Sequence, residues 1–195
     1  MIEAKKTYFI EAGPLIHEVH YSGIPNVARR VSQELIKRGE TVVFFHGPHT
    51  LKQKIILKMI KEGSNRSGKS VRFEDKLLQN EVLKYSNTVG VFTNVRHDVP
   101  PRTFDKEIHI VHDLTTFVTP EYHHNDTIEF HKKMVTKEYP VADVLLCNSQ
   151  STMTDLINYG RVHNKQVVAY SHLAPDKLSQ EDIKFLDEYK NLNLK

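Results

Sequence analysis

The chain has very little of what would take it out of the ordinary globular class. Its 195 residues include a single cysteine, Cys147, which excludes a disulfide framework and suits a reducing compartment. Glycine and proline number eight each, too few for a collagen-like or low-complexity chain. No apolar run approaches the roughly 18–20 residues of a membrane span; the best are Val42–Phe45 and Val144–Cys147. The opening MIEAKKTYFIEAG lacks the long apolar stretch of a signal peptide. Charge of one sign is also scarce: the net charge is +3 with histidine neutral. That is far from the dense basic stripe of a nucleic-acid binder, so no nucleic-acid partner is expected. It is compatible with a phosphate-bearing partner or an anionic membrane surface. A cytoplasmic globular domain is the expectation.

What is present is ordinary in proportion, with 39% apolar and 26% charged residues. At roughly 150 residues per domain the length suits one large domain, or a domain with an appendage. Short apolar runs alternate with amphipathic stretches. Strands are predicted at Thr7–Glu11, Thr41–His46, Thr88–Thr93, Glu107–His112, Val144–Cys147 and Gln166–Tyr170. Helices are predicted at Asn26–Arg38, Leu51–Glu62, Asp75–Tyr85, Thr127–Tyr139, Ser151–Tyr159 and Glu181–Tyr189. In the first of these, Val27, Val31 and Leu35 recur every four residues, and Gly39 follows as a stop. Strand–helix alternation implies a Rossmann-like α/β fold, a parallel sheet of about six or more strands with helices on both faces. Ligands in that architecture sit at the carboxyl ends of the strands. The informative segments are then Gly13–Ile24, His46–His49, Thr93–Pro101, His112–Pro120, Asn148–Ser151 and Ser171–Asp176.

Several motifs fall in or near those segments. Residues 63–70, GSNRSGKS, match the phosphate-loop pattern G-x4-G-K-[ST]. That motif needs a buried strand before it and a helix after it, whereas the preceding LKQKIILKMIKE is lysine-rich with helical spacing. A solvated loop is expected there, with a nucleotide phosphotransferase as the lesser alternative. Tyr21-Ser22-Gly23-Ile24-Pro25 leads from the first strand into the first helix, and its free amides with Arg29 and Arg30 suit a phosphate. A plain strand–helix turn explains it equally well. In 51–62, Ile55, Ile56, Met59 and Ile60 share one arc and Lys54, Lys58 and Lys61 another. Packing on the sheet is expected, with peripheral contact to an anionic membrane as the alternative.

His112-Asp113 follows the strand EIHIV on the ligand edge, where a histidine suits a sugar hydroxyl and Asp113 can orient it. His109 and His112 fall on opposite strand faces, so shared metal ligation is not expected. The pairs His17/His20, His46/His49 and His123/His124 lack a matching cysteine or carboxylate set, so no metal site is expected. Cys147 ends an apolar strand and should pack rather than react. Asn148-Ser149-Gln150-Ser151 supplies capping residues for the next helix.

The order of EAGPLIHEVHYSGIPNVARRVSQELIKRGETVVFF, IHIVHDLTTFVTPEYH, DVLLCNSQSTMTDLINYG and VVAYSHLAPD resembles the N-terminal half of GT-B glycosyltransferases of the retaining, glycogen-synthase-like type, family GT4. The resemblance spans about residues 7–176. It implies an N-terminal, acceptor-side Rossmann-like domain at 1–176 and an interdomain linker at 177–195, leading to a C-terminal donor-binding domain whose E-x7-E motif has no counterpart here. Where the family's glycine loop continues Gly-Arg, this chain has Pro25-Asn26. The resemblance further implies Ser22, Gly23 and Ile24 beside the donor phosphate, and His112 with Asp113 at the transferred sugar. His17, Tyr21, Thr115, Asn148 and Ser149 would line the acceptor cleft. The donor would be a UDP- or GDP-linked sugar, with no metal or other cofactor. The acceptor would be a sugar or lipid-linked sugar, in polysaccharide or glycolipid biosynthesis. A stand-alone glycan- or partner-binding module is the alternative of a different class.

Overall fold

The computed structural model describes residues 5–17, 23–62, 73–160 and 162–171. The elements run β1 (Thr7–Glu11), α1 (Gly13–His17), α2 (Gly23–Lys37), β2 (Thr41–His46), β3 (His49–Leu51), α3 (Gln53–Glu62), β4 (Phe73–Leu77), α4 (Leu78–Val82), β5 (Thr88–Phe92), β6 (Lys106–Val111), α5 (Thr115–Val118), α6 (Asn125–Lys133), β7 (Val144–Cys147), α7 (Gln150–Tyr159) and β8 (Val167–Tyr170). A π-helical turn, Met134–Glu138, and a 3-10 turn, Tyr139–Val141, carry α6 toward β7.

The strands form one sheet in the order β4-β3-β2-β1-β5-β6-β7-β8. From β2 to β8 every neighbouring pair is parallel. The short β3 and β4 add antiparallel at the β2 edge. The fold is therefore α/β and Rossmann-like, as the alternation implies. The eight strands fit the expectation of about six or more, this edge pair adding to the six that the sequence marks. The helix expected over 51–62 starts two residues late because His49–Leu51 is strand, and the helix expected over 75–85 is strand β4 followed by the short α4.

Alternation along the strands feeds two faces. Ile10, Phe44 and Val91 pack with Ala28 of α2 and with Ile56, Met59 and Ile60 of α3. Phe9, Phe45 and Phe92 point the other way, toward Leu78 of α4 and toward Val99 and Phe104. Beside them, Val111, Leu145 and Cys147 are covered by Met134, Val135, Tyr139 and Leu156. The apolar arc of α3 is thus inside the core, while Lys54, Lys58 and Lys61 stay exposed. Among the described residues no helix is long and apolar enough to cross a membrane.

The chain leaves β1 for β2 on one side, then crosses back to place β5 on the other side of β1. The carboxyl ends of β1 and β5 therefore flank the crevice in which a doubly wound sheet binds its ligand. Residues 93–105, joining β5 to β6, hold no helix, and Phe104 from this loop lies directly under Gly90.

Candidate functional site

A row of hydrogen bonds joins the carboxyl ends of four parallel strands. The buried Thr93, just past β5, donates from Oγ1 to the carbonyl of Glu11 at the end of β1 (2.9 Å). The carbonyl of Thr93 receives Nε2–H of His112, just past β6 (2.7 Å). A carbonyl can only accept, so the proton is on Nε2. Thr152 in α7 reaches back from beyond β7: its Oγ1 is 3.3 Å from the carbonyl of His112 and 3.0 Å from Oδ1 of Asn148. Its single hydroxyl proton is shared between these acceptors, and Ser149 Oγ at 3.0 Å supplies a second donor. Ser149 also caps α7, accepting the amide of Thr152 (3.0 Å).

Asp113 is held by Thr115. Its Oδ1 accepts from both the amide (3.0 Å) and the hydroxyl (2.7 Å) of Thr115, closing an Asx turn at the start of α5. Burial raises its pKa, but the Thr115 hydrogen bonds and the imidazoles of His131 and His112 outweigh it, leaving the carboxyl below its ordinary value. Asp113 bonds Thr115 because a carboxylate two residues before the start of a short helix reaches that helix's free amides.

The other end of the row is denser. Oε1 of Glu11 accepts Nδ1–H of His46 (2.7 Å) and the amide of Gly13 (2.8 Å). Nε2 of His97 lies 4.0 Å from the same oxygen. Glu11 is fully buried, and its other oxygen, Oε2, has no hydrogen-bond partner in the structure. A Cβ on Gly13 would stand 2.7 Å from both Glu11 Oε1 and His46 Nδ1, so only glycine lets the pair close against the backbone. This corrects the expectation that His46 has no matching carboxylate. Glu11 is 35 residues away in sequence and adjacent in space.

Comparison with known proteins finds no matching family model, curated protein or solved structure.

Of the residues singled out from the sequence, His112, Asn148 and Ser149 come together in the row, and Asp113 and Thr115 sit beside it. Gly23 and Ile24 open α2, with Pro25 buried in its first turn. A Cβ on Gly23 would meet none of the described residues within 4 Å. Tyr21, Ser22, the side chain of His17, and residues 63–70 and 177–195 lie outside the described residues. The phosphate-loop pattern at 63–70 is preceded by helix α3 and followed closely by strand β4, the reverse of the strand–loop–helix order the motif requires.

His109 faces away from His112, as its spacing implies. It is buried between Phe92 and Tyr139 and bonds the carbonyl of Asn94 (2.5 Å). Burial pushes its pKa down to about 4. Cys147 is fully buried, and that burial raises its thiol pKa to about 11. A cavity of about 520 Å³ lined by Arg102, Asp143, His163 and Gln166 lies at the amino ends of β7 and β8, the edge opposite the row.

Sequence reasoning did not single out Glu11, and it placed Thr93 and His97 in an informative segment, 93–101, without assigning either a role. Glu11 left one signal: a carboxylate ending an apolar strand immediately before a glycine turn.

Proposed function

We propose that this chain is the acceptor-binding N-terminal half of a nucleotide-sugar-dependent retaining glycosyltransferase of the GT4 type. The observation that carries the reading is the row that fixes His112 and Asn148-Ser149 side by side at the carboxyl ends of β6 and β7. A sugar is recognised by directional hydrogen bonds to its hydroxyls, and side chains locked by neighbours supply these at little entropic cost. In this reading His112 faces the transferred sugar, and Thr115, Asn148 and Ser149 line the acceptor side. Gly23 and Ile24 at the start of α2 approach the donor diphosphate, whose nucleotide is held by a second domain. The acceptor hydroxyl attacks on the face from which the UDP or GDP leaves. This half then contributes mainly positioning and fixed dipoles. The setting is polysaccharide or glycolipid synthesis at the cytoplasmic face of a membrane. Any membrane contact by α3 runs through Lys54, Lys58 and Lys61, since its apolar arc is in the core.

The test is a glycan array probed with the 195-residue chain, beside calorimetry with UDP and GDP. Retention on defined glycans, lost in His112→Ala, with weak or absent nucleotide binding, is expected. Tight nucleotide binding with no glycan retention would contradict the assignment.

A further inference from the structure

The cluster at the carboxyl ends of β1 and β2 is built like a metal site. Glu11, His46 and His97 each offer a ligand atom, and these atoms all lie within 4.8 Å of one another. The set comprises two imidazoles and one carboxylate, a borderline donor set suited to first-row divalent ions such as zinc, cobalt or manganese. Three ligands at about 2.0–2.2 Å from a tetrahedral ion stand roughly 3.4 Å apart. His46 Nδ1 and Glu11 Oε1 are at 2.7 Å, and His97 Nε2 is 4.0 Å from Glu11 Oε1. For these two pairs, shifts of less than about 1 Å reach coordination geometry. His97 can make its part of that shift, because its side chain is 40% exposed.

Three further observations favour a site over an incidental ion pair. Glu11 is fully buried with Oε2 unpartnered, an uncommon and costly state for a carboxylate oxygen. Gly13 leaves room that any side chain would fill, since its Cβ would press on both Glu11 and His46. His97 is held at φ +55°, a left-handed conformation uncommon outside glycine, which sets where its imidazole departs from the loop. All three ligands lie at the crevice where a doubly wound sheet binds ligands.

We infer that Glu11, His46 and His97 form a divalent transition-metal site with an open coordination position. The ion takes the place of the proton between His46 Nδ1 and Glu11 Oε1; the neutral imidazole then carries that proton on Nε2, and one hydrogen bond is exchanged for three metal–ligand bonds. Three protein ligands leave a position for water or for an oxyanion such as phosphate. The inference does not depend on the glycosyl-transfer reading.

The test uses the full chain, stripped of metal and affinity tag, titrated with Co²⁺ and followed by visible absorption, then back-titrated with Zn²⁺. One equivalent of Co²⁺ giving intense d–d bands, bleached by one equivalent of Zn²⁺, is expected. His97→Asn tolerates the left-handed backbone and leaves the buried pair intact; it should weaken Co²⁺ binding at least tenfold, and Glu11→Gln at least as much. His123→Ala/His124→Ala removes two imidazoles elsewhere and should leave the titration unchanged. Absence of saturable bands in the wild-type chain, or a His97→Asn titration that matches wild type, overturns the proposal.

Discussion

Nε2 of His112 and the carbonyl oxygen of Thr93 lie 2.7 Å apart, joining the loops that follow β6 and β5. The bond fixes both the ring's tautomer and its direction. Replacing the ring by Ala frees the Thr93 carbonyl and removes the fixed polar group, so His112→Ala should lower glycan affinity at least tenfold. Denaturant midpoints should move little by comparison, because His112 is only half-buried. His112→Gln keeps a donor toward Thr93 and should recover part of the stability but not the affinity. Array binding and urea unfolding of the two variants check this together.

Gly90 of β5 lies against the ring of Phe104: a Cβ there would fall 2.2 Å from Cδ2. Gly90→Ala should overpack this core and cost roughly 1–3 kcal/mol. Phe104→Leu should give back part of that loss in the double variant, since residues in contact couple. Urea denaturation of the two singles and the double measures the coupling; strict additivity would show that the ring yields freely.

His109 makes stability depend on pH. Its folded pKa is depressed from 6.5 to about 4, so the unfolded chain binds the proton more readily. The contribution is fully present above pH 6.5, falls as pH drops from 6.5 toward 4, and is flat below that. At 1.36 kcal/mol per pKa unit the full span is about 3 kcal/mol. His109→Gln removes the titrating group, so unfolding free energies from pH 7 to pH 4.5 should slope less steeply than in wild type. Parallel slopes would place the imidazole in contact with water.

Arg96 and Glu107 form a buried ion pair, with the guanidinium also over the Phe92 ring (4.3 Å) and bonded to the Pro100 carbonyl (3.0 Å). The amide of Arg96 donates to Glu138 (2.9 Å), whose carboxyl is raised by burial. Arg96→Met leaves Glu107 buried without its partner and should cost about 3–5 kcal/mol. Equilibrium unfolding reads this directly, and a loss within about 0–1 kcal/mol would be that of a solvated surface pair.

The parts of the fold that were legible are those whose signal is local. TVVFFH and VLLC are continuous apolar runs, and the bounds of β2 and β7 follow from them. The pair β3–β4 was not legible. HTL is three residues long, and FEDKL sits at the sheet edge with Phe73 and Leu77 half exposed, so neither carries an apolar pattern. The candidate site divides in the same way. His112, Asn148 and Ser149 follow strand ends directly, and topology alone brings them to one edge. Glu11, His46 and His97 meet only through parallel pairing and a left-handed turn, which no local pattern announces.

The most direct measurement is an NMR titration of the ¹⁵N-labelled chain with a glycan retained on the array, mapping which amides shift. Saturable shifts at His112, Thr115, Asn148 and Ser149 are expected. Shifts confined to Arg102, Asp143, His163 and Gln166, around the cavity at the opposite edge of the sheet, would contradict the assignment.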